Sequence, residues 1–166
     1  MNENYLARLF ELNVWANEQL VRVCLTLTDE QLDAEPTSAT YGSIRQTLLH
    51  LASSQEDYLQ QLTLPLEARL NPITLTFEAV ASSLQKSGSG LLALARDSSG
   101  IDNMTQIRSS DGYGVEPWVL LAQAINHADE HREQIKSMLT ALGIIPPRID
   151  GWRYGASVGA LVKLTG

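Results

Sequence analysis

Apolar side chains recur every three to four positions through most of this chain, and the recurrence stops at Pro and Gly, as in amphipathic helices joined by turns. From Tyr5 to Cys24 the stripe runs through Leu6, Leu9, Phe10, Leu20 and Val23, with Trp15 and Ala16 continuing the same general face. Thr28 and Gln31 have capping-box spacing, but Pro36 follows so closely that only a short turn is expected there. A second long helix is predicted from Thr40 to Gln61, with Ile44, Leu48, Leu51, Tyr58 and Leu62 on one stripe and Pro65 as the stop beyond it. The third, Thr76 to Arg96, carries Phe77, Val80, Leu84, Leu91, Leu92 and Ala95. Gly88 and Gly90 weaken it by about 1 kcal/mol each relative to Ala. Beyond Gly100, Asp111-Gly112-Tyr113-Gly114 predicts a turn or very small hairpin. Pro117 then opens a last long helix that runs to Leu142 before Gly143 and Pro146-Pro147, because a first-turn proline lacks only an amide hydrogen the helix does not need.

Four helices with one apolar face each bury those faces most simply against one another, so the expected fold is all-α, a four-helix bundle. The tail from Ile149 to Gly166 holds Trp152, Tyr154, Val158, Leu161, Val162 and Leu164. It is too hydrophobic for a free linker and is expected to pack on the bundle or at a subunit contact. A length of 166 residues suits a single domain spanning 1–166, and no internal repeat points to a solenoid.

Composition narrows the function classes. Hydrophobic residues make up 44% and charged residues 19%, which excludes collagen-like and disordered readings. Twelve basic residues against 19 acidic ones give a net charge of -7, and Arg8, Arg22, Arg45, Lys86, Arg108 and Arg132 are dispersed. Both features disfavour nucleic acid and anionic membranes as partners. Every hydrophobic segment is interrupted by polar residues before it could span a bilayer. The lone Cys24 excludes an intrachain disulfide, and the first residues lack the basic, apolar and cleavage segments of a secretory signal, so the cytoplasm is the expected location.

The sharpest chemical signal is the placement of histidine. All three, His50, His127 and His131, fall inside predicted long helices. His127 and His131 are one helical turn apart on one face, within a stripe that runs through Leu120 and Ala124 to Met138 and Leu142. They could bind one divalent ion together. A third imidazole from His50 would complete a set that leaves a coordination position for water or substrate. The competing reading is packing, with the pair satisfying hydrogen bonds at a helix contact and His50 unrelated on a half-exposed face.

Other site chemistries fit less well. Ala128 follows the first histidine of the pair where a zinc protease needs Glu, and isolated Glu18, Glu56, Glu78, Glu130 and Glu133 do not make the repeated Glu-x-x-His pairs of di-iron bundles. No phosphate-binding Gly-rich loop, paired-cysteine zinc pattern or esterase elbow occurs. Asp129 and Glu130 are candidate residues behind the ligands, against solvent or salt-bridge roles. Cys24 is expected to be a buried thiol and Trp15 to add core area, while Tyr58, Tyr113 and Trp118 are expected in the core or at a pocket rim.

Three segments, Asn13-Val14-Trp15-Ala16-Asn17-Glu18, Tyr41-Gly42-Ser43-Ile44 through His50-Leu51, and Asn126-His127-Ala128-Asp129-Glu130-His131-Arg132, together resemble the DinB family. These are the DinB/YfiT-like, damage-inducible metal-binding bundles, unrelated to the DNA polymerase that shares the label. The resemblance covers nearly the whole chain and implies that His50, His127 and His131 are ligands of a divalent transition metal such as Zn, Ni, Mn or Fe. Family members commonly carry a run like His-x-x-His-His-Arg-Gly-Gln in the last helix. Here Glu130 stands in place of the extra His and Glu133 in place of the Gly, which makes the surroundings more acidic. The resemblance further implies a homodimer and metal-dependent chemistry with a low-molecular-weight thiol, most directly thiol S-transfer to a small electrophile. Glu130, which departs from the family run, is the candidate proton-handling or orienting residue from its place between the two later histidines. Alternatives are a hydrolase using metal-activated water and a non-catalytic, stress-associated metal-binding or protein-interaction bundle.

Overall fold

A computed structural model describes residues 4–164 apart from 38, 40 and 110. Six α-helices follow one another: α1 (Tyr5–Cys24), α2 (Asp29–Asp33), α3 (Ile44–Thr63), α4 (Val80–Arg96), α5 (Pro117–Ala141) and α6 (Gly151–Ser157). Their starts are chemically marked. Asn4 accepts the Ala7 amide at the head of α1, Thr28 and Gln31 close a capping box on α2, and Pro117 occupies the first turn of α5. The start of α3 falls later than predicted. Ser43 and Gln46 form a second capping box there, after Gly42 turns the chain at φ +93°, while Thr40 lies outside the described residues. The first turn of the predicted third helix is instead a tighter 3-10 turn, Phe77–Ala79, and the expected hairpin is two short antiparallel strands, β1 (Ile107–Arg108) and β2 (Gly114–Val115).

The four long helices α1, α3, α4 and α5 form the bundle. Going round it, α1 packs on α4, α4 on α3, α3 on α5 and α5 back on α1. The cross-contacts fix the directions. Asn4 at the start of α1 bonds Ala95 at the end of α4, so those helices are antiparallel. Gln55 meets Leu84 and Ser87, and Leu59 lies against Gly90 further along both helices, so α3 and α4 run the same way. The connection over 64–79 must therefore return along the length of the bundle, and it does so beside α3.

Two apolar clusters make up the core. One contains Leu20, Leu48, Leu51, Ile135 and Met138, the other Phe10, Leu62, Leu91 and Leu120. Between them lies a buried polar layer formed by Asn13, Asn17, Gln55, Ser87, His131 and Arg132. Arg132 donates to Asn13 Oδ1 at 2.6 Å and Asn17 Oδ1 at 2.8 Å, Asn17 donates to Gln55, and Gln55 donates to Ser87. This chain of bonds ties all four helices at mid-height.

The tail docks through α6, where Tyr154 packs on Trp15 with ring centroids 5.6 Å apart and donates to Glu11. Trp15 is thus half-buried beneath α6 and does not add to the bundle core as its place in the stripe suggested, because its face of α1 turns outward. Residues 158–164 stay open to solvent, with Val162 and Leu164 79% and 89% exposed. Among the described residues, no helix is long and apolar enough to cross a membrane.

Candidate metal centre

Antiparallel packing of α3 against α5 brings the three histidines to one point. His127 Nε2 lies 3.1 Å from His50 Nε2 and 3.1 Å from His131 Nε2, and one ligand nitrogen from each ring lies within 4.8 Å of the others. Metal–nitrogen bonds of about 2.0–2.1 Å in tetrahedral geometry separate neighbouring nitrogens by roughly 3.3 Å, so the donor set fits a small divalent ion. His50 therefore meets the later pair and is not unrelated to it.

The protonation of the rings suits ligation. His131 Nδ1 donates to Gln134 Oε1 at 2.8 Å, which leaves Nε2 with its lone pair toward the other two rings. Burial pushes the His127 pKa down to about 4, and the neighbouring His131 and His50 push the same way. Burial, then His131, lowers that of His50 as well. Both rings are therefore neutral near pH 7, with nitrogen lone pairs available to a cation.

Aromatic rings frame the cluster. Tyr41 stacks on His50 with centroids 4.2 Å apart and meets His131 edge-on at 5.5 Å. Tyr58 meets His127 edge-on at 5.8 Å. Burial raises the Tyr58 pKa, with the charges of Asp57 and Glu130 adding to the rise against a hydrogen bond from Gln123. A cleft of about 570 Å³, lined by Tyr41, His50, Ser53 and the 73–75 segment, opens beside His50.

The remaining sequence candidates separate clearly. Glu130 is exposed and accepts from Asn126 at 2.9 Å, and none of the hydrogen bonds among the described residues joins it to a histidine. Asp129 pairs with Arg132 at 3.4 Å and is 71% exposed. Cys24 is fully buried, its thiol pushed up to about 12 by burial, as expected for a packing residue. Tyr113 and Trp118 are 71% and 63% exposed and contribute to neither core nor cluster. Gln134 and Tyr41 escaped attention as partners of the histidines. A Gln one turn after a histidine is the only sequence signal for the first, and the second depends on how the segment before α3 folds. Asn13 and Asn17 were legible as a motif, and their role is now physical, since they hold the guanidinium that follows His131.

The chain is an all-α bundle with a three-histidine cluster between two antiparallel helices, a donor set that could hold a divalent metal ion. The DinB family model matches residues 1–158, and the chain belongs to that family. No curated protein matches the sequence. A crystal structure described as a candidate DinB family member from Exiguobacterium sibiricum 255-15 has the same fold, with a TM-score of 0.68 and 20% identity over 90% of this chain and 99% of that one.

Proposed function

We propose that this DinB family protein is a metal-dependent enzyme in which His50, His127 and His131 hold one divalent transition-metal ion, with thiol S-transfer to a small electrophile as its leading activity. The observation that carries the proposal is the convergence of three imidazoles, with an open cleft beside His50. A bound divalent ion supplies Lewis acidity, polarising a carbonyl or favouring the thiolate of an incoming thiol. The chain's own residues set the rest. Gln134 fixes the His131 tautomer, Tyr41 covers His50 and His131 on one side, and Tyr58 shields His127. Glu130 is the candidate for proton handling at the rim, through its position beside Tyr58. The same reading takes the protein as a cytoplasmic homodimer, for which half-exposed Leu9 and exposed Trp118, both lining an apolar groove between α1 and α5, offer a surface.

The test is elemental mass spectrometry on untagged protein and on His50→Ala, His127→Ala and His131→Ala variants whose folding is checked by circular dichroism. About one ion per chain, lost in each variant, is expected from three ligands on one metal. No uptake after supplying Zn, Ni, Mn and Fe under reducing conditions would overturn the assignment. On loaded protein, a screen of thiols against electrophiles with thiol-free controls then separates transfer from hydrolysis. Turnover without thiol identifies a hydrolase, and no turnover with either leaves a metal-binding module.

A further inference from the structure

Residues 145–164 differ from the rest of the chain in both hydropathy and charge. Six of the seventeen large apolar side chains exposed among the described residues, Ile145, Trp152, Val158, Leu161, Val162 and Leu164, fall within this one segment. Of the 12 basic and 19 acidic residues in the chain, it holds Arg148, Arg153 and Lys163 against Asp150 alone, so it is locally basic in a molecule of net charge -7. The segment is also built as an arm. Asp150 caps α6 by accepting the Arg153 amide at 2.8 Å, and Tyr154 seats that helix on Trp15 and Glu11 of α1. Gly159, at φ +72°, then turns the chain, the Ala160 amide donates to the Gly155 carbonyl at 2.8 Å, and Leu161 folds back over Gly155. This turn keeps the arm on its own helix and leaves Val162 and Leu164 uncovered by their own chain.

A surface of matching chemistry adjoins the arm. Leu12 stands three positions before Trp15 and three after Leu9, so along α1 the seat of α6 gives way directly to the next face. There Leu6, Leu9 and Leu12 form one wall of a groove of about 550 Å³, and Trp118, Ala122 and Ile125 of α5 form the other. Its ends are acidic. Exposed Asp129 lines one, and exposed Glu116, which accepts from Trp118 Nε1 at 2.8 Å, stands at the other. Arg132, the one basic residue lining the groove, is buried and engaged by Asn13, Asn17 and Asp129.

We infer that the occupant of this groove is the arm of a second copy, the basic, apolar arm of each chain lying in the acidic, apolar α1–α5 groove of the other. Because arm and groove adjoin on one side of the molecule, a single two-fold axis between them satisfies both contacts at once and closes the assembly at two copies. The opposite charges of arm and groove ends steer that association, and salt weakens it. The inference rests on the homodimer of the proposed reading and is independent of the metal.

Size-exclusion chromatography with light scattering tests it. Wild-type protein should run at twice its 18.2 kDa chain mass. Val162→Asp/Leu164→Asp on the arm and Ala122→Arg in the groove change exposed positions only, so the helical circular dichroism should be unchanged. Each variant should weaken dimerisation about a hundredfold or more through lost apolar burial and mismatched charge. Mixed one to one, the two variants should recover dimer, because the intact arm of one still meets the intact groove of the other. A mixture that stays monomeric would overturn the exchange. A dimer that persists in the arm variant would overturn the role of the arm and leave the homodimer standing, whereas a monomeric wild type would remove both. Monomeric wild type that pellets with phosphatidylglycerol vesicles, when the arm variant does not, would assign the arm to lipid and likewise overturn the inference.

Discussion

Gln134 and His127 carry the residue-scale argument. A histidine that donates its outer nitrogen to a fixed acceptor is a better-oriented ligand, and losing that acceptor typically lowers metal affinity about 10–100-fold. Gln134→Leu should show a loss in that range by competition with a chelating dye, with the helical circular dichroism unchanged, since Gln134 is only part-buried. Unaltered affinity would mean that packing alone holds the His131 ring. Protonation gives a second test. Burial depresses the His127 pKa to about 4 in the fold, from the 6.5 of an ordinary imidazole. Between these two values the unfolded chain binds more protons than the folded one, so stability in the metal-free protein rises with pH through that window and falls as pH drops toward 4. His127→Gln should flatten the slope of thermal midpoint against pH between pH 4 and 6.5 relative to the wild type. Equal slopes would show that His127 is not desolvated as the geometry requires. The pair was legible in the sequence because helical spacing puts His127 over His131, whereas the meeting with His50 depends on how α3 packs on α5. Tyr41 and Gln134 were not, because a stacking ring and an orienting amide leave no periodic trace.

The polar layer and the glycines of α4 act between elements. Arg132 is buried beside Asn13 and Asn17, and removing one partner of a buried charge costs about 3–5 kcal/mol because the remaining charge is left poorly solvated. Asn17→Leu also takes the donor from Gln55, so urea unfolding should place its loss within or above that range. Arg132→Met leaves only neutral amides short of a donor and should cost less, about 1–3 kcal/mol. The reverse order would mean that the guanidinium is solvated despite its burial. For Gly88 two effects oppose. Ala is the better helix former by about 1 kcal/mol, yet a Cβ there would stand 2.9 Å from Val14 Cγ2 and 3.4 Å from Gln55 Nε2. Overpacking of this kind costs typically about 1–3 kcal/mol, so Gly88→Ala should be neutral to destabilising by up to about 2 kcal/mol in chemical denaturation, and a gain near 1 kcal/mol would refute the close approach. The sequence showed these glycines only as a weakness in a helix, since propensity is local and a neighbouring helix is not. Helix starts were legible where a cap or proline marks them, as at Pro117 and Thr28. The start of α3 lies later than Thr40 because the apolar stripe begins only at Ile44, where Ser43 and Gln46 cap the helix.

Helix directions hold the whole molecule together and were the least legible feature, because connections as long as 64–79 allow a parallel or an antiparallel return. The observed parallel pairing of α3 and α4 sends that segment back along α3, where its residues wall the cleft beside His50. The histidines then join α3 to α5, two helices whose contact the core already supports through Leu48, Leu51 and Ile135. An ion bridging them binds the folded chain and not the unfolded one, so at a hundred times its dissociation constant it adds about 2.7 kcal/mol of stability. For a chain of this size that corresponds to a rise of roughly 5–10 °C in the thermal midpoint. Calorimetry without zinc and with free zinc held at a hundred times its dissociation constant should show that rise in the wild type and its loss in His50→Ala, the variant that removes the only ligand on α3. A rise that survives in His50→Ala would place the ion on His127 and His131 alone. The bridge between the helices, and with it the access of the α3 cleft to the metal, would then have to be abandoned.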